Sequence, residues 1–281
     1  MSKPPSLSPS RQQSPADPAL ERASFALRMG EFGEAERIAA SVLKAQRASV
    51  AAASILGRAL LAQNRPDDAK VPLEKAARRS GDPAVETLLA IALAASGEQG
   101  KALDQLRQTT ARRPAFPPAF RELASLLAKR GQPREAIAVL ESGLTLTPGV
   151  VEQQLDLGRL QHGCNDRSKA RATLTAALAA APGRFDLLTE LARVMVLDGE
   201  YATAAETYRR ALASRPNDAM VQVDLGICLL EMGEREAGEE SLRQAVNSDP
   251  HAFGRALHTL TAASHGRFFL RPSAFAKFLR R

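Results

Sequence analysis

One spacing constrains this chain more than any other property. A turn-forming residue returns at Gly30, Asn64, Gly97, Gly131, Asn165, Gly199 and Gly233, in steps of 34, 33, 34, 34, 34 and 34 residues. Gly and Asn most readily take the left-handed conformation that closes a helix. Seven residues before each turn stands a small side chain: Ala23, Gly57, Ala90, Ala124, Gly158, Ala192 or Gly226. Five after it stands another: Ala35, Ala69, Ala102, Ala136, Ala170, Ala204 or Gly238. Nine after it comes Ala39, Leu73, Leu106, Leu140, Leu174, Tyr208 or Leu242, the apolar knob of a second helix. Small residues let two helices approach closely at their crossing. Pro114, Pro148, Pro182, Pro216 and Pro250 recur at the same period, each ending one helix pair and opening the next. A fixed period of this length is the mark of a repeat array. The apolar fraction of 44% is mostly Ala and Leu, with 4% aromatic residues, which favours helix over strand.

These columns resemble the tetratricopeptide repeat. That motif is a helix–turn–helix of 34 residues, with Leu and a small residue in helix A, Ala early in helix B and Pro at the repeat end. The best copies are "LLTELARVMVLDGEYATAAETYRRALASRPND" (187–218) and "VQVDLGICLLEMGEREAGEESLRQAVNSDP" (221–250). The resemblance covers roughly 16–252 as seven units: 16–49, 50–82, 83–116, 117–150, 151–184, 185–218 and 219–252. It implies an all-α fold, a right-handed α-α superhelix (solenoid) of about seven TPR-like helix pairs, with a C-terminal capping helix. A lone pair cannot bury its own apolar face, so pairs stack. Helix A is expected to line a concave groove that holds a peptide or a partner's helix. Repeat one departs from the pattern. Arg22 stands where Leu56, Leu89, Leu123, Leu157, Leu191 and Leu225 follow, so its helix A is expected to form a polar-faced cap or to fray.

The function classes narrow quickly. Residues 1–15, rich in Pro, Ser and Gln, read as a disordered leader without the apolar core of a secretory signal. No apolar run approaches a membrane span. Two cysteines, Cys164 and Cys228, make no disulfide framework, and a cytoplasmic protein is the default reading. His162 and Cys164 are two apart with no second pair at ligand spacing, so neither metal nor cofactor is expected. "SGEQGKAL" (96–103) lacks the first Gly and the final Ser or Thr of a phosphate loop. No catalytic motif is present, so the expectation is a non-enzymatic protein–protein interaction scaffold.

The expected groove carries charge in columns. Glu122, Asp156, Glu190 and Asp224 place an acid in four successive repeats, and Ser125, Arg159, Arg193 and Ile227 follow three residues on. Arg121 lies beside Glu122. The partner-binding candidates are therefore Arg121, Glu122, Ser125, Asp156, Arg159, Glu190, Arg193 and Asp224. They could contact a ligand's backbone or its basic side chains. A purely local reading is open too: i,i+3 pairs on a helix surface contribute only ~0.2–0.5 kcal/mol each, and each acid could bond the neighbouring repeat. Some tetratricopeptide domains clamp a chaperone's C-terminal carboxylate through Lys-x-x-x-Asn in helix A, and no helix A here has that pair.

The tail, 253–281, reads as a cap followed by a basic-aromatic segment. "RFFLRPSAFAKFLRR" (267–281) holds four Phe and five basic residues and no acid. Phe268, Phe269, Arg271, Phe275, Lys277, Phe278, Arg280 and Arg281 are candidates for docking. They could form a lid on the stack or, alternatively, recruit the protein as an adaptor to an anionic membrane surface or polyanion. The net charge is +7. The tail and leader account for more than all of it, leaving 16–252 at about −1. That near-neutral array argues against nucleic acid as a partner. Oligomeric state is left open.

Overall fold

The computed structural model describes residues 18–266 and 277–278. Among them are fifteen α-helices, one 3-10 turn (Pro250–Ala252) and no strand. In chain order the helices are α1 (Pro18–Met29), α2 (Phe32–Ala45), α3 (Val50–Ala62), α4 (Pro66–Ser80), α5 (Pro83–Ala95), α6 (Gln99–Ala111), α7 (Pro117–Lys129) and α8 (Pro133–Leu146). They continue as α9 (Val151–Gly163), α10 (Arg167–Ala180), α11 (Phe185–Leu197), α12 (Tyr201–Ser214), α13 (Ala219–Glu231), α14 (Arg235–Ser248) and α15 (Phe253–Ala262). The chain forms two compact units, the first ending at Leu126 and the second beginning at Leu127.

The turn column behaves alike in both units. Gly30, Gly97, Gly131, Gly199 and Gly233 have φ between 76° and 84°, and Asn64 and Asn165 have φ of 57° and 59°. The next residue's amide then donates to a carbonyl five positions back, as in Arg65 to Leu60 (2.9 Å) and Asp166 to Gln161 (2.8 Å). This bond satisfies a carbonyl that a helix end would otherwise leave open. Several helices start with a side-chain cap: Ser49 accepts from the Ala52 amide at 3.2 Å, Asp82 from Ala84 at 2.8 Å and Asp218 from Val221 at 3.1 Å.

In the first unit each helix from α1 to α5 packs on the next, and α3 also meets α1 and α5. Its core contains Ala23, Ala39, Ile55, Leu60, Leu73, Val85 and Leu89. α1 is a regular helix that buries Ala23 and Ala26 and leaves Arg22 exposed. In the second unit the hairpins α9–α10, α11–α12 and α13–α14 pack in sequence, α11 meets α9, and α13 meets α15. The small column explains the close packing. A Cβ on Gly158 would lie 2.6 Å from Leu174, and one on Gly226 would lie 2.9 Å from Leu242. Each leucine knob thus occupies the space a larger side chain would need.

At the end of the second unit, Leu260 is fully buried and Phe253 and Leu257 pack beside it. Phe278 is half-buried on the same cluster, and the Arg243 guanidinium lies 4.7 Å from its ring centre. Lys277 is exposed. The other tail candidates, Phe268, Phe269, Arg271, Phe275, Arg280 and Arg281, and the leader 1–15, lie outside the described residues.

Candidate functional site

The charged columns of the second unit meet between helices. α9, α11, α13 and α15 alternate with the B helices, so their equivalent faces lie side by side. On α9, Arg159 donates from Nε to Glu190 Oε1 of α11 at 3.1 Å. Arg193, one turn beyond Glu190, donates from Nη1 to the same oxygen at 3.1 Å. Its Nε lies 3.5 Å from Asp224 Oδ2 of α13. Arg255 of α15 then donates from Nη2 to Asp224 Oδ1 at 2.6 Å. The result is a ladder: Arg159, Glu190, Arg193, Asp224, Arg255. His162 Nδ1 stands at its edge, 3.8 Å from Glu190 Oε2.

Burial within the ladder is asymmetric. The side chains of Glu190 and Asp224 are 11% and 6% exposed, while those of Arg159, Arg193 and Arg255 are 46%, 39% and 43% exposed. The acids lie beneath and the guanidinium groups face water. Each guanidinium has five N–H donors and uses only some of them here. Asp224 Oδ2 is buried without a hydrogen-bond partner, because the 3.5 Å approach of Arg193 is an ion pair of poor hydrogen-bond geometry. Burial raises the Asp224 carboxyl above the usual range, against the opposing pull of Arg255 and Arg193. Burial disfavours the charged form of Arg193, but Glu190 and Asp224 more than offset it, and its pKa is raised. Burial, with Asp224 nearby, also raises the Tyr208 phenol and pushes the Cys228 thiol up to about 12.

A cavity of about 240 Å³ opens beside this ladder. Val196, Leu197 and Ile227 supply an apolar wall, and His162, Arg193, Tyr208, Asp224 and Arg255 supply the polar side. Leu197 is 51% exposed. An open, partly apolar hollow edged by unsaturated guanidinium donors suits an anionic group carried next to an aliphatic one.

The structure separates the sequence candidates. Arg159, Glu190, Arg193 and Asp224 come together in the second unit. Asp156, half-buried, is on α9. Arg121 and Glu122, half-buried, and Ser125, exposed, are on α7 in the first unit. Contact with a ligand and bonding to the neighbouring repeat were both open for the acids; Glu190 and Asp224 bond arginines from neighbouring helices. The structure adds Arg255, from the segment read as the tail, and His162 and Tyr208, which were not among the binding candidates. A signal existed for Arg255. Arg159 to Glu190, Arg193 to Asp224 and Asp224 to Arg255 are each 31 residues apart, one repeat less one helical turn. In the first three repeats the acid column instead holds the exposed Glu21, then Ile55 and Leu88.

Two tetratricopeptide repeat profiles match the chain, one over 26–92, 127–194 and 195–263, the other over 87–150. The chain belongs to the tetratricopeptide repeat family. Its fold is accordingly an all-α tetratricopeptide solenoid. No curated protein matches it in sequence. Among solved structures it is similar to a thermophilic TPR protein of Thermus thermophilus, at 25% identity and TM-score 0.51, covering 65% of this chain and 100% of that one. It is also similar to the C-terminal part of a TPR repeat-containing protein of Cytophaga hutchinsonii, at 16% identity and TM-score 0.63, covering 86% and 99%. MamA matches at 18% identity and TM-score 0.54, covering 58% of this chain and 95% of its own. Tetratricopeptide repeat proteins are generally non-enzymatic scaffolds that bind protein partners. No helix among the described residues is long and apolar enough to cross a membrane.

Proposed function

We propose that this tetratricopeptide repeat protein is a non-enzymatic scaffold that binds a segment of a partner protein over the ladder of its second unit. The observation carrying this reading is the asymmetry of the ladder beside its cavity. Three part-exposed arginines lie above two buried acids, next to the apolar wall of Val196, Leu197 and Ile227. The segment would set an acidic side chain against Arg193 and Arg255 and an aliphatic one against Leu197. Charge-assisted hydrogen bonds to guanidinium groups give such a contact direction, and the apolar wall gives it area.

Leu197→Asp tests this without disturbing the ladder, because the side chain is exposed and its backbone carbonyl, which accepts from Arg167 Nη1, is kept. Partners captured by the wild-type protein are identified by mass spectrometry, and their capture by the variant is measured. Loss of a partner at unchanged melting temperature is the expected result. An identical set of captured proteins at equal yield would remove this site from the function.

A further inference from the structure

The repeat ends of the first unit gather cations in excess of what the fold uses. α2, α4 and α6 end at Ala45, Ser80 and Ala111. At the first end lie Lys44 and Arg47, at the second Lys75, Arg78 and Arg79, and at the third Arg112 and Arg113, all exposed. Two contacts tie the ends together. Arg79 donates from Nη1 to the Arg47 carbonyl at 2.7 Å. The Arg112 guanidinium reaches to 3.6 Å from where a Cβ on Gly81 would sit. The three ends therefore form one continuous edge.

A helix C-terminus favours a nearby cation, and Arg113 serves this purpose by donating to the Arg112 carbonyl at 2.8 Å. Carboxylates occupy part of the edge. Glu74 accepts from Arg78 at 2.5 Å, and the buried Glu86 accepts from Arg112 Nε at 2.8 Å. Asp82 caps α5 and is occupied by the Ala84 amide, and Asp104 is exposed on α6. Among the described residues, Lys44, Arg47, Lys75, Arg79 and Arg113 meet no carboxylate. The turns inside each pair hold Glu34, Glu36, Asp67, Asp68 and Glu98, and these acids are taken up there by Arg37, Arg65, Lys70 and Lys101. A near-neutral total over 16–252 conceals the uncompensated cations of the repeat ends. The corresponding helix ends of the second unit also carry arginines, but Arg184 pairs with Glu152 and Asp186, Arg209 pairs with Glu206, Arg210 donates to the Pro182 carbonyl and Arg215 lies over the Phe185 ring.

We propose that this edge docks the phosphate backbone of a nucleic acid. Guanidinium groups match phosphate oxygens in a two-pronged geometry, and five of the seven cations are arginines. Among the described residues of this unit, the large apolar side chains that are exposed are Phe25, Met29 and Val71, and none is at a repeat end. A protein partner would lack the apolar anchors that dominate protein interfaces. A phosphate backbone needs none, and contact with it is independent of base sequence.

The test is fluorescence anisotropy of a labelled double-stranded oligonucleotide with the full chain. About four phosphate contacts predict binding that weakens ~100-fold between roughly 50 and 200 mM salt. Combining Arg47→Glu, Arg79→Glu and Arg113→Glu is expected to weaken binding at least ~10-fold and to flatten the salt dependence. Because Arg79 and Arg113 also bond backbone carbonyls, the same three positions changed to Gln, with an unchanged melting temperature, serve as the second variant. Unaltered affinity in both variants would overturn the proposal. So would loss only on deletion of 267–281, equal affinity for poly-glutamate, or binding confined to phosphatidylserine vesicles.

Discussion

The two units are built on the same register and dispose of charge in opposite ways. In the second unit, arginines on α9, α11 and α15 reach the buried Glu190 and Asp224 and join adjacent repeats. In the first, Ile55 and Leu88 stand in the equivalent column and add to the apolar core, and Arg47, Arg78, Arg79, Arg112 and Arg113 stand exposed at the repeat ends. Stacking therefore does not require the ladder. Apolar knobs pack the interior of each unit, and the ladder is an addition that leaves cationic donors facing a cavity.

The sharpest test of that shared basis is the knob column. Leu73 and Leu174 are both fully buried and both face a glycine. Leu73→Ala and Leu174→Ala are each expected to destabilise by about 2–5 kcal/mol in urea unfolding, by lost transfer energy and a residual cavity. A large disparity between them would break the claim that both units rest on the same packing.

The ladder should separate the units. Removing Arg193 leaves Glu190 and Asp224 under-compensated, and breaking a buried pair costs several kcal/mol. Arg193 is part-exposed, so the expected loss for Arg193→Ala is at the lower end, about 3 kcal/mol. Arg58 occupies the same column in the first unit and is exposed without an ion-pair partner among the described residues. Arg58→Ala should change stability by less than about 0.5 kcal/mol. Equal effects on thermal melting would show that the ladder does not distinguish the units.

Smaller effects are expected at the turns. Asn64 and Asn165 hold positive φ, so changing either to Ala should cost about 1–2 kcal/mol, equally in both units. The smallest effect concerns pH. The carboxyl of Asp224 has a raised pKa in the folded protein. A raised pKa means the native state holds the proton more tightly than the unfolded state. The associated stability is fully present below the unfolded pKa and is lost as pH rises through the folded one. Urea unfolding across this acidic range should show that loss in the wild type, and Asp224→Asn should remove it. An identical pH dependence in the variant would mean that the buried carboxyl is not its source.

Much of the fold was legible because its determinants are local. Left-handed turn residues, small crossing positions and leucine knobs each act within one helix pair, and their identities are restricted by backbone conformation and volume. The ladder was half legible. Its acids and two of its arginines stand in columns, but columns do not reveal which side chain lies beneath. Arg255 escaped notice because it belongs to a helix outside the repeat count, although the 31-residue step reaches it. The basic edge was hidden by averaging, since its cations come in small groups from three successive repeats and a near-neutral total over 16–252 does not show them as one surface.

The sequence by itself determined the repeat, its length, the turn inside each helix pair and the pairing of knob with small residue. These follow from short-range sterics and from the need to bury apolar side chains. Only the tertiary structure decided which charges are paired beneath the surface and which face water. A charge's state depends on the dielectric around it and on partners brought in from other helices, and both exist only once the helices have packed.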